Sequence, residues 1–159
     1  MAVDMFLTLD GIKGESVDHK HKDAIDILAW SWGVTQSGSF QFGGGGGSGK
    51  ANFQDVSVTK YVDKSSADLL YACASGKHLK EASLIVRKAG EKPLEYLIYK
   101  LQNIIVTSVS TGGSGGEDRL TENVSLNFAK VSMDYQMQDE KGAGKKAGTF
   151  TWDISANQK

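Results

Sequence analysis

The stretch that looks most like chemistry is Gly44-Gly45-Gly46-Gly47-Ser48-Gly49-Lys50-Ala51. It fits G-x-x-x-x-G-K but ends in alanine, where a phosphate loop needs a hydroxyl to reach magnesium. Gly44, Gly46 and Gly49 also satisfy G-x-G-x-x-G. A phosphate loop must open a helix, whose first N–H groups hold the anion. The segment that follows, Phe53 to Val62, instead places Val56, Val58 and Val62 at period two, a strand pattern. A glycine run matches any glycine pattern by composition, and the context argues against nucleotide binding.

Asp18, His19, His21 and Asp23 crowd one polar segment, Lys13 to Asp23. Metal sites use such residues, but His78 is the only further imidazole and there is no cysteine pair, so a solvated loop is the expectation. The single thiol, Cys73, lies between Leu69, Leu70 and Ala74 in a helical stretch. That setting predicts a reduced, slowly reacting thiol packed under a helix. G-x-S-x-G does not occur. Glu117, Asp118 and Glu122 share a glycine-bounded loop with Arg119 and read as local charge pairing. No catalytic constellation emerges, and no cofactor or metal is implied.

The elements around these residues are mostly strands. The central one is Ile25 to Ser37, IDILAWSWGVTQS. Leu28, Trp30, Trp32 and Val34 alternate as one large apolar face. The other face starts with Ile25 and Ile27 and then turns small: Ala29, Ser31, Gly33, Thr35, Ser37. A face turned only to water would carry charges, so small uncharged groups there suit close approach by a helix, a subunit or a ligand. An ordinary strand buried on both sides is the alternative.

Val3, Met5, Leu7 and Leu9 predict a first strand, ended by a turn at Asp10-Gly11. Ala82, Leu84 and Val86 predict another. Glu95 to Ser110 is long, with Leu97, Tyr99, Leu101, Ile105 and Val109 in one phase. Glu122 to Met137 starts on Val124, Leu126 and Phe128, then switches to Ala129, Val131, Met133 and Tyr135. Such a switch implies a bulge or sharp bend. Phe150, Trp152 and Ile154 make a last short strand. One helix is expected between Ser65, as N-cap, and Gly76, as stop. Two long strands, one of them bent, favour a mainly β fold: an antiparallel barrel of two sheets with one short flanking helix.

The chain has 159 residues, with 18 basic and 19 acidic side chains and a net charge of −1. That length suits one domain, 1–159, and no boundary or repeat divides it. The charge balance points away from nucleic acid. One cysteine removes any intrachain disulfide. No stretch approaches the roughly 20 apolar residues of a membrane helix, and the N-terminus lacks the basic-then-apolar pattern of a cleaved leader. The expectation is a cytoplasmic chain that, if exported, leaves without one.

Taken together, the sequence resembles the Hcp family, the haemolysin-coregulated proteins of type VI secretion, nearly end to end. The segments that carry the resemblance are Phe6–Ser16 (FLTLDGIKGES), Leu28–Gly33 (LAWSWG), Thr59–Ser65 (TKYVDKS) and Thr121–Phe128 (TENVSLNF). One departure is mild: Ser66 stands where proline often follows the helix-capping serine. The resemblance implies a structural protein, not an enzyme. It implies homohexameric rings that stack into a tube, driven out by a contractile sheath behind a spike protein, with effector proteins held in the lumen. A phage-type tail tube protein is the alternative. On this reading Ser31 and Ala29 face the lumen and its effectors. The glycine loop, Gly43, Gly44, Gly45, Gly46, Gly47 and Gly49, contacts a neighbouring subunit or ring.

Overall fold

A computed structural model describes residues 2–38 and 49–159. Gly43 to Gly47 lie outside the described residues, so only Gly49 of the expected contact loop can be placed. Its N–H donates to the Ser37 carbonyl at 3.1 Å.

In chain order the elements are β1 (Val3–Leu9), β2 (Ile25–Asp26), β3 (Ala29–Ser31), β4 (Val34–Thr35), β5 (Asn52–Phe53), β6 (Val56–Tyr61), α1 (Ser65–Ser75), β7 (His78–Lys88), β8 (Leu94–Thr111), β9 (Thr121–Gln138) and β10 (Gly144–Asp153). One antiparallel sheet runs β2-β1-β7-β8-β9-β6-β3, with β10 also on β9; β4 and β5 pair separately. The expected β-rich barrel with one helix is what the chain forms. The strand expected across Ile25–Ser37 is not continuous. β2 pairs with β1, β3 with β6 and β4 with β5.

The break has a physical reason. Ile27 N–H donates to Met5 at 3.0 Å, while the next residue, Leu28, donates to Thr59 at 2.8 Å. Neighbouring amides thus bond to opposite ends of the sheet, and this crossing closes the curl. Ile25 and Ile27 point into the core on one side of it; Trp30 and Trp32 pack against the core on the other. The inward phase slips between them, so Leu28 and Val34, expected inside, are exposed.

The predicted bend in β9 is present, and β8 shares it. Leu101 pairs with Val131 and Ile104 with Phe128, all four buried. Inward residues three apart on both strands require a kink, and Asn103 supplies it with φ 56°. Beyond it Ile104 and Val106 turn inward, so the single inward phase through Ile105 expected for β8 does not hold. A bulge between Val106 and Ser108 then brings Val109 back toward the core.

The core gathers Leu7, Ile25, Val58, Leu69, Leu84, Leu101, Ile104, Leu126 and their neighbours. Each fully buried aliphatic side chain contributes about 2 kcal/mol of transfer free energy. Leu69 and Ala72 are the apolar anchors of α1, which lies against β8. The cap expected at Ser65 is supplied instead by Asp63. Its carboxylate accepts from the Ser65 N–H at 2.8 Å, and the Ser66 hydroxyl accepts from the Asp63 N–H at 3.0 Å. Gly76, at φ 66°, ends the helix as expected, with Lys77 N–H reaching Ala72 at 3.1 Å. Cys73 is a half-buried free thiol packed against the core edge, while Leu70 and Tyr71 face outward.

Candidate interaction face

Period two places Ala29 and Ser31 opposite Trp30, and both are exposed. Trp30 goes inward against Tyr99, with ring centroids 5.3 Å apart. Trp32 packs on Phe53, Tyr99 and Phe128 and donates its indole N–H to Gln54 at 2.9 Å. These indoles hold β3 flat on the barrel and leave its small side chains outside.

The registers extend that outer face across the sheet. Ser31 pairs with Ser57, Ser57 with Ser125, and Ser125 with Ser108. In the next row Ala29 pairs with Thr59, Thr59 with Asn123, and Asn123 with Ser110. The two rows cross β3, β6, β9 and β8 without a charged side chain. Their polar groups bond one another: Ser57 and Ser125 hydroxyls lie 3.4 Å apart, and Thr59 donates to Asn123 Oδ1 at 2.7 Å. The carboxylate at the margin, Asp55, is occupied by Thr107 at 2.7 Å and Asn127 at 2.9 Å.

A nucleophilic serine needs a base in hydrogen-bond reach. Among the described residues, no imidazole or carboxylate bonds any hydroxyl of the two rows. The face is suited to neutral contact with another molecule rather than to bond making. The alternation at Ser57/Thr59 and Asn123/Ser125 was as visible in sequence as that at Ala29/Ser31, but only the register joins them.

Directly beneath, in the inward phase, lies an ionic cluster that sequence reasoning missed. Lys60 and Glu122 are fully buried and paired. The Lys60 ammonium also reaches Asp63 at 3.1 Å, the Tyr61 carbonyl at 2.9 Å and the Ser66 hydroxyl at 3.3 Å. Ser66 donates to Glu122 Oε1 at 2.6 Å, and Glu122 Oε2 is buried without a partner. The cluster pins the start of α1 to β6 and β9.

The histidine-bearing segment is strapped down at Asp18 and His21, while His19, Lys20 and Lys22 stand exposed to solvent, as expected of a solvated loop. Buried Arg87 donates to both carboxylate oxygens of Asp18, at 3.0 and 2.6 Å, and to Asp4 at 3.1 Å. Those bonds hold the Asp18 carboxyl well below the usual range and raise the guanidinium above its own. His21 lies on Phe6, with centroids 4.8 Å apart, and meets Glu95 at 2.5 Å. Burial pushes the Glu95 carboxyl up, but bonds from His21 and Lys20 outweigh it and leave it lowered. Among the described residues no group of three or more His, Cys, Asp or Glu side chains could hold a metal.

A curled antiparallel barrel with one helix at its flank is the architecture of solved type VI secretion proteins. A structure of a type six secretion system protein superposes with TM-score 0.93 at 31% identity, covering 99% of both chains. Hcp1 from Salmonella typhimurium superposes with TM-score 0.78 at 38% identity, again covering 99% of both. The family model described as type VI secretion system effector, Hcp, matches residues 6–135. Protein hcp1 of Pseudomonas aeruginosa is 59% identical over 160 residues, covering 99% of this chain and 98% of that one. The chain belongs to the Hcp family. Hcp proteins are secreted through the type VI system, and no helix among the described residues is long and apolar enough to cross a membrane.

Proposed function

We propose that the chain, as a single barrel domain, is the structural subunit of a type VI inner tube: homohexameric rings, stacked and exported. The uncharged rows through Ser31 and Ala29 line its lumen and hold effector proteins; a sheath and a spike act on its outside and tip. The observation that carries this reading is the face itself. In a chain with 23% charged residues, four adjacent strands present neutral side chains outward in register. A water-facing wall would be charged, and a subunit contact would be apolar at its centre. A passage for many different polypeptides is best served by small, self-bonded polar groups.

Sizing chromatography and negative-stain microscopy of the unmodified chain test the ring; a monomer at micromolar concentration rejects it. Ser31→Gln tests the lumen. Rings form normally, because the longer side chain extends into water, while effector retention falls. If Ser31 sits at a subunit contact, the added atoms overpack it and the ring collapses.

A further inference from the structure

The outer face of the sheet changes character beyond the kink in β8 and β9. There Lys100 pairs with Ser132, and Gln102 with Lys130. Partners directly opposite stand on one face, so these four side chains form a two-by-two block. Each of the four is a hydrogen-bond donor. The two lysines take diagonal corners, roughly 7–8 Å apart. On β10, Thr151 pairs with Ser132 and Asp153 with Lys130. The turn after β10 folds back as a wall: Ile154 N–H donates to Ala129 at 2.8 Å and Asp153 N–H to Gln158 at 2.7 Å. The result is a cavity of about 400 Å³ lined by Lys100, Gln102, Lys130, Ser132, Thr151 and Asp153. That volume lies within the roughly 300–1,000 Å³ of small-ligand sites.

The donors of the block are unused. In the serine rows the hydroxyls and amides bond one another. Among the described residues, Gln102, Ser132 and Thr151 make no side-chain hydrogen bond, and Lys100 has no carboxylate partner. Two like charges at a diagonal repel. Lys130 is offset in part by Asp153 at 3.6 Å. That carboxylate is already engaged by the Ser155 hydroxyl at 2.6 Å and the Ala156 N–H at 3.1 Å, which hold it below the usual range. Glu81, beside Gln102 on β7, and Asp134, diagonal to Lys100, stand outside the cavity lining. Asp134 accepts from Thr149 at 3.0 Å. Lys159 brings an ammonium and the terminal carboxylate to the rim, and the two cancel. The block itself carries two positive charges and no negative one.

We propose that this block binds a phosphate group. Lys100 and Lys130 supply charge from opposite corners, and the Ser132 hydroxyl and Gln102 amide supply directed donors between them. A phosphate offers three acceptor oxygens, enough to engage both lysines and the hydroxyl together, whereas a carboxylate offers two. Hydrogen bonds between ionised partners are the strong ones, and the anion also relieves the repulsion between the lysines. The site lies apart from the serine rows, so its failure leaves the tube reading intact.

Lysine labelling tests it on the unmodified chain. A limiting pulse of an N-hydroxysuccinimide ester is given in sodium phosphate, sodium acetate or sodium chloride of equal ionic strength, and each lysine is quantified by peptide mass spectrometry. Lys77, exposed just past the helix, is the internal reference. Relative to it, Lys100 and Lys130 should label several-fold more slowly in phosphate than in chloride, while acetate should match chloride. Lys130→Gln should remove most of the protection at Lys100, and Lys100→Gln most of that at Lys130. Glycerol phosphate that protects as inorganic phosphate does identifies an ester as the ligand; protection by inorganic phosphate alone identifies the free ion. A Lys100 rate that phosphate leaves unchanged, equal protection by acetate, or protection that survives Lys130→Gln overturns the site. So does a Lys100 that resists labelling in chloride, because a covered lysine does not belong to an open site.

Discussion

The two ionic clusters show what burial does to the same chemistry. Lys60 and Glu122 have no exposed side-chain surface, whereas Asp18 is 18% and Asp4 46% exposed around Arg87. Taking both ions of the first pair out of water carries a desolvation penalty of several kcal/mol per ion, largely offset by their attraction and by Asp63, Ser66 and the Tyr61 carbonyl. Its net contribution is small, but its dependence on each member is large. The Arg87 strap keeps its carboxylates near water, so its members can be rehydrated when a partner is lost. The first cluster fixes how α1 sits on the sheet that carries the serine rows; the second fixes a surface segment.

The largest effect is therefore expected at Glu122. Glu122→Ala should destabilise by about 3–5 kcal/mol, because Lys60 is left charged and buried. The pair Lys60→Met with Glu122→Leu should recover most of that loss. Denaturant melts of the single and double variants check both statements. A double variant no more stable than Glu122→Ala would make the cluster a net source of stability and erase its contrast with the strap.

Arg87→Met should cost about 2 kcal/mol, the range for losing hydrogen bonds to charged groups, and its effect should depend on pH. The Asp18 carboxyl is depressed in the folded chain. Its stabilisation is complete above the unfolded carboxylate range, about pH 4, and disappears as pH falls through that range toward the depressed value. The parent should lose this increment on acidification and Arg87→Met should lack it, so the gap between their melts narrows at low pH. A gap constant from pH 6 to pH 2 would show that Arg87 acts through its packing on Phe6, 5.0 Å from the ring, rather than through Asp18.

The sequence made the strands, the β9 bend and the helix stop legible, because apolar alternation and Gly76 each act locally. It hid the break at Leu28, because the change of partner from β1 to β6 depends on closure of the whole sheet. It hid the kink in β8 because Asn103 carries no side-chain pattern of its own. Lys60 and Glu122 did leave a trace: each is a charge in the inward phase, after Val56 and Val58 and before Val124 and Leu126. A charge on a core phase predicts a partner, though not which. Ser31 and Ala29 were found by alternation, while Ser57, Thr59, Asn123 and Ser125 needed the register to join them.

The smallest effect lies next to the buried cluster, at Asp26. Asp63 holds Lys60 at 3.1 Å and lines the same cavity as Asp26. Burial, and then the charge of Asp63, raise the Asp26 carboxyl. A raised carboxyl binds its proton more tightly in the folded chain than in the unfolded one. Its contribution to stability is therefore present below the unfolded carboxylate range and is lost as pH rises through that range to the raised value. Asp26→Asn, neutral at every pH, should melt slightly higher than the parent at pH 7, by a few tenths of a kcal/mol (~0.3) once solvent screening is allowed for. The advantage should vanish below about pH 4, where the parent carboxyl is protonated. Combining it with Asp63→Asn separates the causes. If Asp63 contributes through its charge, the gain from Asp26→Asn shrinks in the Asp63→Asn background; if burial alone acts, the gain is unchanged.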